Sequence, residues 1–444
     1  MVIKNFKNLA TAKLRWEALS IINAGYEAID IEKLTKKRFK LSQNKFLVSD
    51  AAQTHRFDLE KIKRIYLIGF GKGSSLAIAT MAKILSPLGK KFSGAIALDV
   101  HPPKFSKGKL GRVKIFVGTH PRPSLKNVRA TQYIVRTLET LGEDDLVIYF
   151  IGGGGSSLLC GSEDELKFSS LVYGQLTRKG ASIQELNTVR KHLSLVKGGW
   201  LAYHTYPAQS VSLIVSDVCG NDFSIIASGP TVFDKTTKKD ARKIIEKYLR
   251  TSAQKSAIIG SLIETPKNKK YFKKAKYLLF ACNEDAVLAM KKRARSLGYG
   301  AKIISLAHQG EAQELFAPLV KKIGKREILL LAGETMVKIR GRGKGGRNQE
   351  AVLAAVAKAS VGQLKFRDTL ISSFSSDSYD NTPVAGALAD EKTLEILKKR
   401  KINPVKFLRN NDSYNFFRKV GGQIVAERRA FNVSDLMMVI RNGS

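Results

Sequence analysis

The sequence predicts an α/β protein of two domains, and three observations support this fold class. The chain has 444 residues, which is long enough for two or three domains. Hydrophobic residues make up 43% of the chain and charged residues 26%, the balance of a globular protein. Short apolar runs end in Gly or Ser and lead into amphipathic stretches, a pattern typical of β–α units. We predict an N-terminal domain over residues 1–250 and a smaller α/β domain over residues 275–444.

The N-terminal domain is predicted to begin with a helix over residues 10–29 and to continue as a doubly wound sheet. The apolar run at 65–70 predicts a buried strand, and residues 76–85 predict the helix behind it. Further strands are predicted at 94–98, 114–117, 146–151 and 211–215. Because these runs are apolar throughout, we expect a mostly parallel sheet with helices on both faces.

A basic stretch from Lys235 to Lys276 separates the two predicted domains. It contains 14 basic and three acidic residues, and its helix-like segments are broken at Pro266. We interpret it as a solvated helical connector, with nucleic-acid binding as the alternative, because no aromatic residues are interleaved at stacking spacing. In the second half, strands are predicted at 277–281, 301–305, 328–331 and 369–373, with helices between them.

The overall charge is strongly positive. Lys and Arg total 76 against 38 Asp and Glu, so the formal charge is +38. Because the excess is spread along the chain, it indicates a general attraction for anions and no particular function.

The three cysteines are too far apart for a disulfide framework or a zinc site. With no signal peptide and no apolar run of about 20 residues, we expect a cytoplasmic protein that does not contact a membrane.

Two glycine-rich segments, residues 69–75 and 152–157, each follow a predicted strand. Where a strand runs into glycines and then a helix, backbone N–H groups and the positive helix end can face a phosphate. The first segment is not a Walker A motif, because Tyr66 and Gly73 occupy the positions of its first Gly and its Ser or Thr. The alternatives are a tight turn with an exposed lysine for the first segment and a flexible linker for the second.

Two aspartates are candidates for catalysis or metal binding. Asp217 follows the strand predicted at 211–215, and carboxylates at the carboxyl ends of parallel strands point into the ligand crevice. Asp217 is therefore predicted to orient Mg²⁺ or a hydroxyl nucleophile, with a turn cap as the alternative. For Asp377, within residues 376–380, a turn-forming role is at least as well supported by the spacing.

A loop rich in Arg, Gly and Lys at 340–350 lies between a predicted strand and a predicted helix. Such sequences can bind RNA as low-complexity segments. Because this one lies within folded sequence, we favour a rigid site in which Arg347 contacts a transferring phosphate. His120 and His192 are not spaced as a metal pair, and we expect each to pack or to cap.

Taken in order, these segments resemble the class II glycerate kinases, a family whose C-terminal domain is called MOFRL. The matching blocks extend over nearly the whole chain: Gly71-Lys72, His120-Pro121, 153–156, 187–194, 197–199, 216–218, 227–232, 333–335, 345–350, 411–414 and 432–436. The resemblance implies ATP-dependent phosphorylation of D-glycerate, usually to 2-phosphoglycerate and with Mg²⁺. It also implies that the reaction takes place in a cleft between a Rossmann-like N-terminal domain and the C-terminal domain.

The resemblance extends to individual residues. Lys72 and Arg347 match the catalytic positions of the family, and we add Asp217 and Asp377 as further catalytic groups and as metal ligands. Cofactor binding is predicted for Gly71, Gly153, Gly154, Gly155, Ser156, Asn187 and Lys191. The expected partners are D-glycerate and ATP. We expect neither a specific nucleic acid nor a membrane as a partner, and whether the protein forms a homodimer is left open.

Two segments depart from the family pattern. Residues 376–386 are one residue shorter than usual and lack a third carboxylate, and residues 425–433 replace the terminal loop, adding Arg428 and Arg429.

Two other functions stay open. An NAD(P)-dependent hydroxypyruvate reductase would need a full Gly-x-Gly-x-x-Gly motif, whose last position is Ser74 here. A non-catalytic relative would bind anions or nucleic acid.

Overall fold

The computed structural model describes residues 1–101, 111–216, 222–250, 252–429 and 431–443. The helices are α1 (Phe6–Leu9), α2 (Lys13–Ala28), α3 (Ile31–Arg38), α4 (Ser74–Leu85), α5 (Leu125–Leu138), α6 (Gly155–Leu158), α7 (Glu163–Arg178), α8 (Ile183–His192), α9 (Trp200–Thr205), α10 (Lys238–Tyr248), α11 (Ala253–Gly260), α12 (Asn283–Ser296), α13 (Phe316–Lys322), α14 (Arg347–Ser360), α15 (Glu391–Arg400), α16 (Pro404–Arg409) and α17 (Ser413–Val420). The strands are β1 (Phe39–Leu41), β2 (Lys45–Ser49), β3 (Thr54–Asp58), β4 (Arg64–Phe70), β5 (Phe92–Asp99), β6 (Val113–Val117), β7 (Asp145–Ile151), β8 (Gln209–Val215), β9 (Ala275–Ala281), β10 (Gly300–Glu311), β11 (Glu327–Met336), β12 (Thr369–Ser375), β13 (Gly386–Ala389), β14 (Gln423–Ile424) and β15 (Asp435–Arg441).

The chain forms two compact units, Ile31–Phe280 and a second that combines Met1–Asp30 with Ala281–Ser444. This division differs from the predicted domains, 1–250 and 275–444, most clearly at the N-terminus. Helix α2 belongs to the second unit because it packs along α12. The contact is close at Gly25, where a Cβ would lie 2.9 Å from Cγ of Met290.

The first unit is built on a six-stranded sheet in the order β6-β5-β4-β7-β8-β9. The pairs from β6 through β8 are all parallel, which confirms the predicted Rossmann-like sheet. The chain moves outward from β4 to β5 and β6, then returns to the other side of β4 as β7. The carboxyl ends of β4 and β7 therefore flank the topological switch point, where open α/β sheets bind their ligands.

Helices cover both faces of this sheet, as the apolar strands predict. All seven residues of β7 are buried. On one face, Ile68 and Tyr149 pack with Ile134 of α5 in a common core. On the other face, Gly69 lies against α4, where an added Cβ would be 2.4 Å from Cγ1 of Ile78.

The basic stretch at 235–276 is part of the first unit, so its interpretation as a solvated connector is wrong. Helices α10 and α11 place Ala241, Ile245 and Ile258 in a core shared with α7 and α8. The basic side chains dominate the composition, but the apolar stripe between them is sufficient to dock the segment. Strand β9, predicted for the second domain, lies beside β8 in the first sheet.

The first unit also contains an antiparallel meander, β1-β2-β3, that the sequence analysis did not predict. No helix of the described residues has the length and apolar character that crossing a bilayer requires.

The second unit is built on a mixed sheet in the order β10-β11-β15-β12-β13-β14. Strands β10 and β11 are parallel, and the remaining pairs are antiparallel. The C-terminal strand β15 lies between β11 and β12, with all residues but the last buried. Helix α14 packs on this sheet through Val352 and Val356, which share a core with Met437 of β15.

Candidate functional site

The two glycine-rich loops lie side by side at the carboxyl ends of β4 and β7. The N–H of Gly152 donates to the carbonyl of Phe70 at 2.8 Å, and the N–H of Lys72 donates to the carbonyl of Gly153 at 2.9 Å. Gly71 has φ of 106°, and a Cβ there would lie 2.3 Å from the carbonyl oxygen of Gly152. Position 71 therefore requires glycine both for its backbone conformation and for the close approach of the loops.

The loops differ in the backbone donors that they leave unpaired. Asp99, at the end of β5, accepts hydrogen bonds from the N–H of Ser75 at 3.0 Å and from its hydroxyl at 2.7 Å. Asp99 thus occupies one backbone donor at the start of α4, whereas the N–H of Gly73 finds no acceptor among the described residues. In the second loop, the N–H groups of Gly153 and Gly154 find no acceptor among the described residues. That loop keeps donors suited to an anion.

Lys72 is half-buried and forms no ion pair with an acidic side chain in the described ranges. It lies near His120, which follows β6 and packs against the second loop. A Cβ on Gly154 would be 3.0 Å from Nε2 of His120. Burial, and then the charge of Lys72, lower the pKa of His120 below its ordinary value of 6.5. His120 is therefore a neutral imidazole at pH 7, a property that its sequence context did not reveal.

Ser156 and Asn187, both predicted to bind the cofactor, are joined through Ser228. The hydroxyls of Ser156 and Ser228 are 3.0 Å apart, and Ser228 donates to Oδ1 of Asn187 at 2.9 Å. Ser228 is fully buried and has φ of 62°, in the left-handed region that few residues other than glycine adopt. The sequence analysis included Ser228 in a matching block but gave it no role.

Lys191 has a structural contact in place of the predicted cofactor contact. Its ammonium pairs with Oδ1 of Asp234 at 3.0 Å, and both side chains are buried. Asp234 also accepts hydrogen bonds from the hydroxyls of Thr236 and Thr265. A lysine held in a buried ion pair would leave an uncompensated carboxylate if it turned toward a phosphate.

A cavity of about 580 Å³ opens beside the second loop. Its wall includes Gly154, Ser156, His120, Tyr173, Arg190 and Lys197. Lys197 is buried, pairs with Glu165 and donates to the carbonyl of Leu159 at 2.7 Å. Most of the charged groups that line the cavity are thus basic.

Neither predicted metal ligand is placed in a metal site. Asp217 lies outside the described residues, which end at 216 and resume at 222. Oδ1 of Asp377 accepts hydrogen bonds from the hydroxyl of Ser375 at 2.8 Å and from the N–H of Tyr379 at 3.0 Å, which supports the turn-forming alternative. Over the described ranges, no group of three or more His, Cys, Asp or Glu side chains is arranged to hold a metal ion.

Arg347 is the first residue of α14 in the second unit, and two carboxylates hold its side chain. Its Nε lies 2.5 Å from Oδ2 of Asp435, and its Nη2 lies 2.9 Å from Oε1 of Glu334. Burial raises the pKa of Asp435 to about 7, against the opposing effect of Arg347. Burial alone would lower the pKa of Arg347, but the two carboxylates raise it on balance. Neither Asp435 nor Glu334 was assigned a role from sequence.

The start of α14 is capped, as the start of α4 is. Asp380 accepts hydrogen bonds from the backbone N–H groups of Asn348 at 3.1 Å and Gln349 at 2.9 Å. Its backbone also closes on the preceding loop, because a Cβ on Gly346 would lie 2.0 Å from the Asp380 carbonyl oxygen. Asp380 thus fixes the backbone from which Arg347 projects.

The Arg- and Gly-rich loop is held in place by Asn411. Its Oδ1 accepts hydrogen bonds from the N–H groups of Arg340 at 2.7 Å and Gly341 at 3.0 Å. Its amide donates to Oε1 of Glu350 at 2.9 Å. From sequence, residues 411–414 are one of the matching blocks without an assigned role, and the structure shows that Asn411 shapes this loop. A second cavity, of about 800 Å³, lies beside the loop and includes Arg347 in its wall.

We predict that Arg347→Ala destabilises the second unit, because it leaves the buried carboxylate of Asp435 without its partner. The expected loss in the free energy of unfolding is about 2–3 kcal/mol, below the range for fully buried pairs, because the Arg347 side chain is 32% exposed. The loss should be larger at pH 8 than at pH 5.5, where Asp435, with its raised pKa, takes up a proton. Urea unfolding at both pH values tests this.

The matched control is the double variant Arg347→Ala with Asp435→Asn, which removes the charge as well as its partner. We expect it to unfold with little dependence on pH in this range. Equal losses for the single variant at both pH values would contradict the assigned pairing.

Comparison with family models matches two parts of the chain. Residues 17–262 match the family model of a domain of unknown function, DUF4147, and residues 327–435 match the MOFRL family. A D-glycerate 2-kinase of Thermotoga maritima is 34% identical over 396 residues, which span 85% of this chain and 90% of that protein. A protein of Agrobacterium vitis, named provisionally as a hydroxypyruvate reductase, is 35% identical over 74% of this chain and 78% of its own.

Structural similarity extends over nearly the whole molecule. The crystal structure of a glycerate kinase from Thermotoga maritima aligns with a TM-score of 0.82 and 30% sequence identity, covering 96% of this chain and 98% of that one. Likeness of this extent, together with both family models, leads to one conclusion. The chain belongs to the class II glycerate kinase family and is a kinase.

Proposed function

We propose that this protein transfers the γ-phosphoryl group of ATP to the 2-hydroxyl of D-glycerate, giving 2-phosphoglycerate and ADP. The observation that carries the proposal is the pairing of the two glycine-rich loops at the switch point of the parallel sheet. Unpaired N–H groups of Gly153 and Gly154 and the ammonium of Lys72 lie together there. The choice of substrate and of its 2-hydroxyl is supported by the name of the Thermotoga relative.

Phosphoryl transfer asks little covalent chemistry of a protein and depends on positioning and on stabilising negative charge. The backbone donors of the second loop suit the oxygens of the nucleotide phosphates. Lys72 supplies a positive charge that no described carboxylate neutralises. We assign it the transferring group, whose negative charge it stabilises. The hydrogen bonds from Ser156 through Ser228 to Asn187 fix the hydroxyl of Ser156 beside these donors.

His120 is suited to accept the proton of the substrate hydroxyl. It lines the same cavity as Gly154 and Ser156, and its lowered pKa keeps it neutral at pH 7. In the proposed step, the substrate oxygen forms a bond to the γ-phosphorus while the bond from that phosphorus to the bridging oxygen of ADP breaks. The hydroxyl proton passes to the imidazole.

Mg²⁺ enters the proposal through the nucleotide, whose phosphate charge it neutralises when bound. The described carboxylates of Asp435 and Glu334 are engaged by Arg347, and Asp380 caps α14, so these groups do not form a protein cage for the ion. Mg²⁺ commonly needs only one or two carboxylates beside substrate phosphates. Asp217 is our candidate for that ligand. That Arg347 acts on the transferring phosphate, and that the reaction occupies a cleft between domains, remain predictions.

The proposal is tested by ADP release from ATP with D-glycerate, with the phosphate position read from the NMR spectrum of the product. The reductase alternative is tested by NAD(P)H oxidation with hydroxypyruvate in the same preparation. We expect glycerate-dependent ADP release and no oxidation of NAD(P)H. The opposite pair of results would overturn the proposal.

Lys72→Gln is expected to lower kcat at least about 10²-fold, because it removes one preorganised charge from the transition state. The matched control is Lys83→Gln, which changes an exposed lysine of α4, the helix that follows the loop of Lys72. Steady-state kinetics with circular dichroism on both variants provide the measurement. Near-normal kcat in folded Lys72→Gln would refute the assigned role.

His120→Asn is expected to change the pH profile as well as the rate. In the wild type, kcat/KM should stay constant from pH 8 down to about 6.5 and decline only below it, because protonation of an imidazole with a lowered pKa needs more acid. The variant should be slower and lack this acidic decline. If the decline persists unchanged in the variant, another group is the base.

Removal of Mg²⁺ with EDTA is expected to abolish turnover, and added Mg²⁺ should restore it. Asp217→Asn should raise the Mg²⁺ concentration for half-maximal activity about tenfold or more, since one of few protein ligands loses its charge. Asp377→Asn should have a smaller effect, because the carboxylate of Asp377 already closes its own turn. The reverse order of the two variants would move the metal ligand to Asp377.

A further inference from the structure

Arg190, on α8, is a basic side chain for which the proposed mechanism has no use so far. It lines the 580 Å³ cavity together with Ser156 and His120. Its guanidinium carbon lies 4.5 Å from the centre of the Tyr173 ring. No acidic side chain of the described residues forms an ion pair with it. Glu165 is in the wall of the same cavity, but its carboxylate is engaged by Lys197 and by the N–H of Gly161.

A positive charge in such a position is costly without an anion. Burial lowers the pKa of Arg190, which means that its surroundings disfavour the charged form. The face of Tyr173 offsets only part of this cost, because a cation–π contact is weaker than a hydrogen-bonded carboxylate. The cavity thus contains an uncompensated cation, and an anionic ligand would complete it.

The shape of the guanidinium indicates which anion. Its planar fork matches the two oxygens of a carboxylate, and the Tyr173 ring packs against it. In a 2-hydroxy acid the reacting hydroxyl is on the carbon next to the carboxylate. Holding the carboxylate at one wall of the cavity would therefore keep the neighbouring hydroxyl in the cavity that His120 and the second loop also line.

We propose that Arg190, stacked on Tyr173, binds the carboxylate of the substrate and selects 2-hydroxy acids over uncharged polyols. This inference rests on the proposed function and deepens it, since it assigns recognition of the substrate carboxylate to one side chain. A nucleotide phosphate is the other anion that this arginine can bind. The kinetics of the two substrates distinguish these ligands.

The experiment compares Arg190→Gln and Arg190→Lys with the control Arg242→Gln, which changes an exposed arginine of α10 outside this cavity. We expect Arg190→Gln to raise KM for D-glycerate roughly 10- to 100-fold, the loss of one hydrogen-bonded charge. KM for ATP should stay within about twofold of the wild type. KM for D-glycerate of Arg190→Lys should lie between those of the wild type and Arg190→Gln, because lysine keeps the charge but not the planar fork of the guanidinium.

Direct binding separates this inference from the proposed function. Calorimetric titration with D-glycerate and with glycerol, in the absence of ATP, should show that only the acid binds the wild type and that Arg190→Gln loses this binding. Added guanidinium ion should restore part of it. If the wild type shows no phosphoryl transfer but the titrations behave as stated, the proposed function fails while the carboxylate site stands.

Two results would overturn the inference. One is an unchanged KM and unchanged binding of D-glycerate in folded Arg190→Gln. The other is a rise confined to KM for ATP, which would assign Arg190 to a nucleotide phosphate. If Arg190→Gln does not fold, as judged by circular dichroism, Arg190→Lys gives the same comparison with the charge retained.

Discussion

The close approach of Gly71 to Gly152 is the constraint on which the candidate site of the first unit depends. Neighbouring parallel strands are less than about 5 Å apart, so the loops leaving β4 and β7 must pass without side chains between them. Ordering successive glycines costs conformational entropy, which the hydrogen bonds between the two loops help to offset. The same packing leaves the N–H groups of Gly153 and Gly154 without acceptors, and places Lys72 and His120 beside them.

The two units share an electrostatic feature at the start of one of their helices. In each unit, one helix that follows a glycine-rich loop has backbone donors occupied by a carboxylate, from Asp99 at α4 and from Asp380 at α14, which reduces the free positive potential of these two helix ends. The charge for an anionic ligand comes from side chains instead. Lys72 and Arg190 have no described carboxylate partner, whereas Arg347 is held between Asp435 and Glu334. The two sets of basic groups therefore differ in how readily they can take up an anion.

Much of the first sheet follows from the sequence, because its strands are short apolar runs that end in glycine. What the sequence could not reveal depends on distant partners. From its sequence context Lys191 was predicted to bind the cofactor. In the structure it pairs with Asp234, 43 positions further along the chain, a contact that the local sequence does not indicate. Strand β15 is apolar, but no helix follows it among the described residues, so its central place between β11 and β12 was not predicted. Likewise, the many basic residues of α10 led to its interpretation as solvated, although its apolar stripe is buried.

The pairing of α2 with α12 has a consequence for how the chain folds as it is made. The 250 residues of the first unit lie between these helices in sequence, so the first unit can be completed before α12 leaves the ribosome. At translation rates of roughly 5–20 residues per second, α2 would wait on the order of ten seconds to a minute with Leu19 and Ile22 uncovered. The N-terminal helix is thus a nascent-chain segment that a chaperone can engage until synthesis reaches its partner.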